Sequence, residues 1–345
     1  MNRSLWQYFD WSVLFIAVVL TALGVAMIYS ATLEHEPLAD AWRNQALYGA
    51  IGLTLMLVVS RIDYRLLESL QWPLYLLVLG LLIFTLLLGR SEIADVRRFI
   101  YVGGVSVQPA FPAPDATAFF LSLGLTGLAA FLVYQQPNLS TATLYTAVWG
   151  AMLFTSGMNL SYVGGLVIGM VAAFPMVLPR LPEYMQDRIR NFLDPTRDPW
   201  AQYNIEQALI SIGSGGFWGK GFAAGTQSQL HFLRVRHTDF IFSVICEELG
   251  FAGALVVLAL FGLLLWRLLR VAARAADLTG QLIVVGVITY IFYQLIVNIG
   301  MNLNLVPVAG LPLPFISSGG TSLVIAYVGL GLVESVAMRR RRLEF

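Results

Sequence analysis

The side chains with the clearest capacity for chemistry lie in the segment from Gln202 to Phe251. Asp239 stands where this polar stretch gives way to an apolar run, and His237 is close beside it. Basic residues precede it, namely Lys220, Arg234 and Arg236. A carboxylate, an imidazole and cations that converge at the edge of an apolar span are typical of a functional site. The pattern therefore indicates acid–base chemistry around Asp239.

A structural interpretation of Asp239 also fits the sequence. Thr238 has a side chain of the type preferred at a helix N-cap, and a carboxylate in the first helical turn is stabilised by the helix dipole. HTDF would then mark the start of a helix, with Asp239 in its first turn. The sequence leaves both interpretations open.

Glycines surround Lys220, at positions 213, 215, 216, 219, 221 and 225. Glycine permits tight turns and close approach of the backbone to a ligand, so a phosphate-cradling loop is one interpretation. It is not a Walker motif, because Lys220 is followed by Gly221 where Ser or Thr is required. The alternative is an irregular loop that lies on the membrane surface, with Trp218 and Phe222 as interfacial anchors.

Two acidic residues, Glu247 and Glu248, follow Asp239 by about two helical turns. Charges at that depth in a membrane helix are costly, so we expect them to face protein or a water-filled cavity, with an arginine as a candidate partner. A structural ion pair and a part in catalysis both stay open.

Composition places these residues in a membrane protein. Apolar residues make up 58% of the 345 residues and charged residues 12%, and the mean hydropathy is +0.74, outside the range of soluble domains. Long stretches without Asp, Glu, Lys or Arg occur at 12–33, 44–60, 69–89, 116–179 and 278–333. Each holds one or more apolar runs near the roughly 20 residues that span a bilayer. Because period-2 alternation is absent from these runs, they predict a helical bundle and not a barrel.

We therefore expect an all-α polytopic integral membrane protein, with residues 1–345 in a single transmembrane helical domain. Nine helices are predicted, at about 12–33, 45–60, 72–89, 116–134, 140–156, 161–178, 240–268, 279–302 and 318–337. MNRSLWQYFDWS leads into the first run without a small-residue cleavage site, so we expect this helix to be retained as an anchor.

Positive charge sets the expected orientation. Arginines occur in two short loops and close the chain, and these points are expected to be cytoplasmic; they are Arg61, Arg65, Arg267, Arg270, Arg274 and Arg339 to Arg342. Both termini would then be cytoplasmic, and residues 179–238 would form one long extracytoplasmic loop that carries the candidate site.

The number of crossings does not match this orientation. Counting from the N-terminus places residues 90–115 outside, whereas counting back from the C-terminus places them inside. Either residues 99–114 cross as Pro-broken, irregular chain buried in protein, or a helix is missing between Pro109 and Thr117. We favour the missing helix, which would give about ten spans.

Several classes of function are excluded by what the sequence lacks. Its basic residues are scattered among loops and form no patch with interleaved aromatics, so nucleic acid is not an expected partner. The chain has one cysteine, Cys246, and three histidines. Disulfides and a Cys- or His-based metal site are therefore not expected.

The motifs of the second half resemble those of the RodA/FtsW family of shape, elongation, division and sporulation proteins. The resemblance rests on GSGGFWGKGFAAGTQSQLHFLRVRHTDFIFSVICEELG, NIGMNLNLVPVAGLPLPFISSGGTSL, QPNLSTA and RRFIYVGG. It touches most of the chain from Arg97 to the C-terminus. GTQSQL and NIGM are more similar to the RodA branch than to the FtsW branch.

This resemblance implies a ten-span peptidoglycan glycosyltransferase of the bacterial cytoplasmic (inner) membrane. It would polymerise lipid II with a class B penicillin-binding transpeptidase and other cell-elongation membrane proteins as partners. Asp239 matches the aspartate of the family's HTD motif and would act as general base on the acceptor sugar. Candidates for binding substrate and pyrophosphate are Arg97, Arg98, Gln108, Lys220, Gln227, Arg234, Arg236 and His237. A divalent cation, Mg²⁺ or Mn²⁺, is a candidate cofactor.

The chain departs from the family pattern at several places. Phe99 stands where tryptophan is usual, Asn138 replaces an aspartate, and Ser318 replaces a tyrosine. The family's QPSExxK element should follow Gln108 and Pro109, but its glutamate and lysine have no counterparts. The distance from Gln108 to Gln136 is also shorter than usual by about one helix, which agrees with the count of crossings.

Structural roles are open for further polar residues. Gln294, Asn298, Ser317 and Ser318 fit interhelical hydrogen bonding or helix capping, and Pro314, Gly319 and Gly320 fit a break before the last helix. Other functions also remain open: a lipid II flippase, a non-catalytic scaffold for a transpeptidase, or a polysaccharide ligase with a polyprenyl-pyrophosphate donor. A flippase would require charge along the bundle interior, which the long uncharged stretches disfavour.

Overall fold

The computed structural model describes residues 6–33, 40–88, 116–136, 138–158, 160–230, 232–233 and 236–339, and the regular secondary structure of these ranges is helical throughout. The α-helices are α1 (Trp11–Thr32), α2 (Ala41–Arg61), α3 (Arg65–Ser69), α4 (Gln71–Leu88), α5 (Ala116–Gln135), α6 (Leu139–Thr155), α7 (Leu160–Val177), α8 (Glu183–Leu193), α9 (Pro199–Ser214), α10 (Thr226–Gln229), α11 (Ile241–Ala273), α12 (Leu278–Asn302) and α13 (Gly320–Met338).

Every apolar stretch predicted to be a helix forms one, and most boundaries agree within two residues. Four helices are long and apolar enough to cross a membrane, namely α1, α11, α12 and α13, and shorter apolar helices lie within α4 and α5. These features are those of a polytopic membrane protein. Residues 179–238, which the sequence predicts as one long loop, contain α8, α9 and α10.

The central core is formed by α1, α2, α11, α12 and α13. Small residues let α2 and α13 approach closely, as is common between membrane helices. A Cβ at Gly52 would lie 2.7 Å from the ring of Tyr327, and one at Gly331 would lie 2.8 Å from the carbonyl oxygen of Met56. Larger residues at either position would separate the two helices.

Side-chain contacts define which helix ends meet. We call the end of the bundle that contains the turn at residues 236–240 the site end. Four helix ends meet there: the last turns of α1 and α12 and the first turns of α2 and α11. Gln229 donates to the carbonyl of Ser30 in the last turn of α1, and Gln45 in the first turns of α2 donates to the carbonyl of Ser317. Asn302 at the end of α12 donates to the carbonyl of Asp239, just before α11. The α13 helix begins just after Ser317 and ends at the opposite end, where Arg339 bonds the carbonyl of Arg61.

The α4 and α5 helices run in the same direction. Tyr75, near the start of α4, donates to the carbonyl of Leu125. Gln136, just after α5, donates to the carbonyl of Leu82 in the last turns of α4. Successive helices that are parallel begin at the same end of the bundle, so the mismatch in the count of crossings is also present in the structure. The residues between these helices lie outside the described ranges.

A polar cluster at the opposite end joins α2, α3 and α12. Asp277 is the N-cap of α12 and accepts from the N–H of Gly280 at 2.8 Å. It also accepts from the buried hydroxyl of Tyr64 at 2.7 Å and from Arg65 at 3.1 Å. Burial acts to raise the pKa of Asp277, but these hydrogen bonds outweigh it and lower the pKa. Burial and the bond to Asp277 raise the pKa of Tyr64 to about 12.

We expect Asp277→Ala to lower the free energy of unfolding by about 2 kcal/mol, because it removes a helix cap and the acceptor of a buried hydroxyl. Since the pKa of Asp277 is lower in the folded state, the stability that depends on its charge is present above its ordinary pKa. That stability is lost as the pH falls through the folded pKa. Unfolding of the purified protein, followed between pH 7 and pH 3 with and without the substitution, measures both effects.

The matched control is Asp40→Ala. Asp40 is the N-cap of α2 but makes no side-chain capping bond, and its side chain is exposed. This change should shift stability by less than about 0.5 kcal/mol. An equal loss in both variants would contradict the role given to Asp277.

Candidate active site

The turn at residues 236–240 carries Asp239 into the site end. The α11 helix begins at Ile241, its N-cap is Phe240, and no side chain of that residue caps it. Asp239 therefore precedes the helix, and the prediction that Thr238 is the N-cap with Asp239 in the first turn is wrong. That prediction relied on the local N-cap preference of Thr238, whereas side chains from distant parts of the chain bond the backbone of this turn. Asp239 thus lies immediately before the N-cap residue of α11.

Three successive backbone carbonyls of this turn accept hydrogen bonds from other parts of the bundle. The N–H of Ser318 donates to the carbonyl of His237 at 2.9 Å. The hydroxyl of Ser317 donates to that of Thr238 at 2.7 Å. The amides of Asn298 and Asn302 donate to that of Asp239 at 3.1 and 3.0 Å. The backbone at Asp239 is therefore held from α12 and from the segment before α13.

The segment before α13 is itself fixed to α2. Gln45, which is buried, donates to the carbonyl of Ser317 at 2.9 Å and accepts from the N–H of Gly319 at 3.3 Å. A Cβ at Gly320 would lie 2.3 Å from the ring of Tyr48. The predicted hydrogen-bonding role of Ser317 and the predicted break at Gly319 and Gly320 are confirmed, since α13 begins at Gly320.

Arg236 is the first residue of the turn and is 4% exposed. Its Nε donates to the carbonyl of Ala31, in the last turn of α1. Gln229 donates to the neighbouring carbonyl of Ser30 at 2.9 Å. The last carbonyls of a helix have no partner within it, so Arg236 and Gln229 satisfy two of them from a distant part of the chain.

The glycine-rich segment is joined to α11 by an exchange of backbone hydrogen bonds. In an unbroken helix the N–H groups of residues 251 and 252 would donate to the carbonyls of Glu247 and Glu248. Here those carbonyls accept from the N–H groups of Lys220 and Gly221, at 3.0 Å each. The N–H groups of Phe251 and Ala252 donate instead to the carbonyls of residues 216 and 217, at 2.9 and 3.0 Å.

Glycine is required where the two strands of chain meet. Gly250 has φ +68°, which breaks α11. A Cβ at Gly215 would lie 1.9 Å from the carbonyl oxygen of Cys246, and one at Gly219 would lie 2.1 Å from that of Glu248. The close approach that these glycines permit is to α11. The N–H groups of Lys220 and Gly221 are committed to α11, which disfavours a phosphate cradle at those two positions.

The two adjacent glutamates of α11, Glu247 and Glu248, bind the glycine-rich segment through their side chains. Glu247 and Glu248 are both 0% exposed, which confirms that they face protein. Lys220 forms an ion pair with Glu247 at 2.7 Å. Glu247 also accepts from the N–H of Gln227 at 2.9 Å. Glu248 accepts from the hydroxyl of Ser30 at 2.6 Å and from the N–H of Ala223 at 3.1 Å.

The outer side of the glycine-rich segment is aromatic and exposed. Trp218 is 79% exposed and Phe222 is 50% exposed. The ring of Phe217 contacts those of Trp218 and Phe251, with centroids 4.9 and 5.9 Å apart. This arrangement agrees with the interpretation of the segment as a membrane-surface loop.

The other predicted residues lie in different places. Asn138 is the N-cap of α6, and its side chain accepts from the N–H of Thr141 at 3.1 Å. The side-chain oxygen of Gln227 is buried without a hydrogen-bond partner. Arg97, Arg98, Phe99, Gln108 and Arg234 lie outside the described residues. Within the described ranges, His, Cys, Asp and Glu form no group of three or more that could hold a metal ion.

Sequence reasoning missed Asn302, Gln45 and Ser30. Asn302 lies four residues after Asn298, so both are on one face of α12. Polar amides repeated at this spacing within an apolar run were the signal that could have identified it. Gln45 and Ser30 had no comparable signal, because their partners are distant in sequence.

The fold and this end of the bundle define a polytopic helical membrane protein with a carboxylate-bearing turn at one end. The model of the FtsW, RodA and SpoVE family, described as cell cycle proteins, matches residues 10–113 and 110–342. The chain therefore belongs to the FtsW/RodA/SpoVE family.

Relatives match over nearly their whole length. The chain is 35% identical to the peptidoglycan glycosyltransferase MrdB of Escherichia coli K12, with 99% of this chain and 97% of the relative covered. It is 32% identical to the stage V sporulation protein E of Bacillus subtilis, with 96% and 98% covered.

Solved structures of similar fold were also found. One is a chain from the structural study of coordinated polymerization and crosslinking by a peptidoglycan synthase complex, with TM-score 0.80, 29% identity, and 96% and 98% of the two chains covered. Another is the rod shape determining protein RodA of Thermus thermophilus, with TM-score 0.70, 28% identity, and 97% and 98% covered. An aspartate-to-alanine mutant of that RodA matches equally well.

The alignments agree with a missing crossing. The match to MrdB extends over 366 positions, so at least 21 of them have no counterpart in a chain of 345 residues. The family model matches in two pieces that meet at residues 110–113. About 20 residues are needed for one membrane helix, and the break falls next to the place where the sequence predicted a missing span.

We expect removal of either partner of the Lys220–Glu247 pair to destabilise the protein, because the other is left with an uncompensated charge. Lys220→Met should lower the free energy of unfolding by about 3 kcal/mol, because it leaves the Glu247 carboxylate buried without its cation. The unpaired charge left by Glu247→Leu should lower it by less, because Lys220 keeps some contact with water. Replacing both should cost less than the two single changes together. SDS- or heat-induced unfolding of the purified single and double variants gives the interaction free energy between Lys220 and Glu247.

Arg43→Met is the comparison for an exposed pair, since both Arg43 and Asp40 are largely exposed, and it should be nearly neutral. Strict additivity of Lys220→Met and Glu247→Leu would show that the two side chains do not stabilise each other.

Proposed function

We propose that this chain is a peptidoglycan glycosyltransferase that polymerises lipid II for cell-wall elongation and rod shape. The observation that carries the proposal is the 35% identity to a named peptidoglycan glycosyltransferase over 99% of the chain. The structural likeness to a chain of a peptidoglycan synthase complex supports it.

Asp239 is proposed as the general base. Its carboxylate would take the proton from the C4 hydroxyl of the acceptor sugar as that oxygen attacks the anomeric carbon of the donor. A new glycosidic bond forms, the bond between the anomeric carbon and the pyrophosphate oxygen breaks, and the configuration inverts. Undecaprenyl pyrophosphate leaves with the bonding electrons. The partial exposure of Asp239 at the site end and the fixed backbone of its turn suit this role.

Basic side chains would stabilise the departing pyrophosphate. Lys220 is paired with Glu247 and Arg236 bonds the last turn of α1. The favoured candidates for this task are therefore Arg97, Arg98 and Arg234. Further candidates for binding substrate are Gln108, Gln227 and His237. A divalent cation, Mg²⁺ or Mn²⁺, stays a candidate cofactor, and no step is assigned to it.

We propose that the site end faces the outside of the bacterial cytoplasmic membrane, with both termini in the cytoplasm. Arg61, Arg65, Arg267 and Arg339 all contribute to contacts at the opposite end, where positive charge is expected to face the cytoplasm. Residues 179–238 would then be extracytoplasmic, so that the sugars reach Asp239 while the polyprenyl chain stays in lipid.

The proposed partners are lipid II, a class B penicillin-binding transpeptidase and other cell-elongation membrane proteins. A flippase is less well supported. The buried charged side chains of the described ranges lie near the two ends, with Arg236, Glu247 and Glu248 at the site end and Glu334 near the other. They do not form a charged path between the two faces.

We expect Asp239→Asn to reduce glycan polymerisation at least a hundredfold, because the amide cannot accept the proton. The assay uses purified lipid II and the protein in complex with its transpeptidase partner, with folding and complex formation measured for each variant. Asp194→Asn is the matched control, since Asp194 is an exposed carboxylate of the 179–238 segment that precedes Asp239, and it should retain activity.

Equal polymer from wild type and Asp239→Asn would remove Asp239 from the role of base. No polymer from the folded wild-type complex would contradict the proposed function and favour a scaffold or a flippase.

A further inference from the structure

We propose that Asn302 and Ser317 are positioning residues, which hold Asp239 in its working place by fixing the backbone of its turn from two sides. This inference rests on the proposed function of Asp239. It assigns a kinetic role to two buried side chains that lie in other parts of the chain and would not themselves touch the substrate.

Asn302 bonds the turn and the start of α11 at the same time. Its Nδ2 donates to the carbonyl of Asp239 at 3.0 Å. Its Oδ1 accepts from the hydroxyl of Ser243 at 2.6 Å and from the Ser243 N–H at 3.2 Å, an N–H that is also 3.1 Å from the carbonyl of Phe240. Asn302 is 0% exposed. One amide thus sets the distance between Asp239 and the first turn of α11.

This contact takes the place of a local cap. The first N–H groups of a helix lack partners within it, and an N-cap side chain normally satisfies one of them. Phe240 occupies the N-cap of α11 and cannot do so. Asn302 supplies the acceptor from α12 instead, so the start of α11 and the preceding turn are located relative to α12 and not by their own sequence.

Ser317 holds the turn from the opposite side. Its hydroxyl donates to the carbonyl of Thr238 at 2.7 Å and accepts from the N–H of Leu313 at 2.8 Å. Gln45 in turn fixes the carbonyl of Ser317. The carbonyls of the two peptide units that flank the Asp239 Cα are therefore bonded to different elements, which limits rotation of the backbone that bears the Asp239 carboxylate.

A general base must lie within hydrogen-bond reach of the proton that it takes, and a displacement of about 1 Å can cost on the order of a hundredfold in rate. Loosening the turn should therefore lower kcat. Substrate binding by other parts of the site should be retained, so KM should change little. A residue that only stabilises the fold would not give this separation once the variant is folded.

The test compares Asn302→Leu and Ser317→Ala with wild type in the lipid II polymerisation assay, with the transpeptidase partner present. Both variants should lower kcat about tenfold or more, with KM for lipid II within about twofold of wild type. Ser317→Ala removes a single oxygen atom, so it keeps the test decisive if Asn302→Leu does not fold.

Each variant has a matched control. Gln294→Leu removes a buried amide from the same face of α12, one turn before Asn298, where the side-chain oxygen has no hydrogen-bond partner. Ser335→Ala removes a buried hydroxyl that holds the carbonyl of Ile62 at 2.6 Å at the opposite end. Both controls should keep kcat within about twofold of wild type.

Asp239→Asn in the same assay separates this inference from the proposed function. If Asp239→Asn is inactive while Ser317→Ala and any folded Asn302→Leu keep wild-type kcat, the positioning role is overturned and the proposed function stands. A rise in KM with unchanged kcat would also overturn it. If Asp239→Asn is active, the proposed function of that residue fails and the inference fails with it.

Discussion

Backbone polar groups at helix ends govern the site end of this protein. Lipid offers them no hydrogen-bond partner, and both the last turn of α1 and the first turn of α11 receive hydrogen bonds from distant segments. Arg236 and Gln229 satisfy the last carbonyls of α1, and Asn302 satisfies the start of α11. Because each cap comes from a distant segment, closing these helix ends also assembles the residues around Asp239.

The charged residues near the site end differ in the contacts that they make. Lys220 and Glu247 form an ion pair that secures the glycine-rich segment to α11, whereas the backbone carbonyl of Asp239 accepts hydrogen bonds from Asn298 and Asn302. Lys220, Arg236, Glu247 and Glu248 thus make contacts that hold this end of the bundle together, and the proposed general base lies in a turn whose backbone is held by α12 and by the segment before α13.

Sequence patterns were sufficient for the nine apolar helices, because long apolar runs with few or no charges mark them directly, but they did not predict α3, α8, α9 or α10. They also identified Glu247 and Glu248 as protein-facing, since two charges in a span must be buried. They failed at Thr238, where cap preference was outweighed by bonds from Ser317 and Asn302. Asn302 and Gln45 could not be paired with their partners, because such contacts join residues distant in the chain. The reaction itself came from family resemblance.

The exchange of backbone bonds at Gly250 also fixes the length of the chain around it. Surface loops usually tolerate insertions and deletions, but the carbonyls of residues 216 and 217 and the N–H groups of Lys220 and Gly221 all bond to α11 in one register. A single residue gained or lost between them would misalign one half of the exchange against the other. In evolution, this segment can vary in its exposed side chains, such as Trp218, far more readily than in its number of residues.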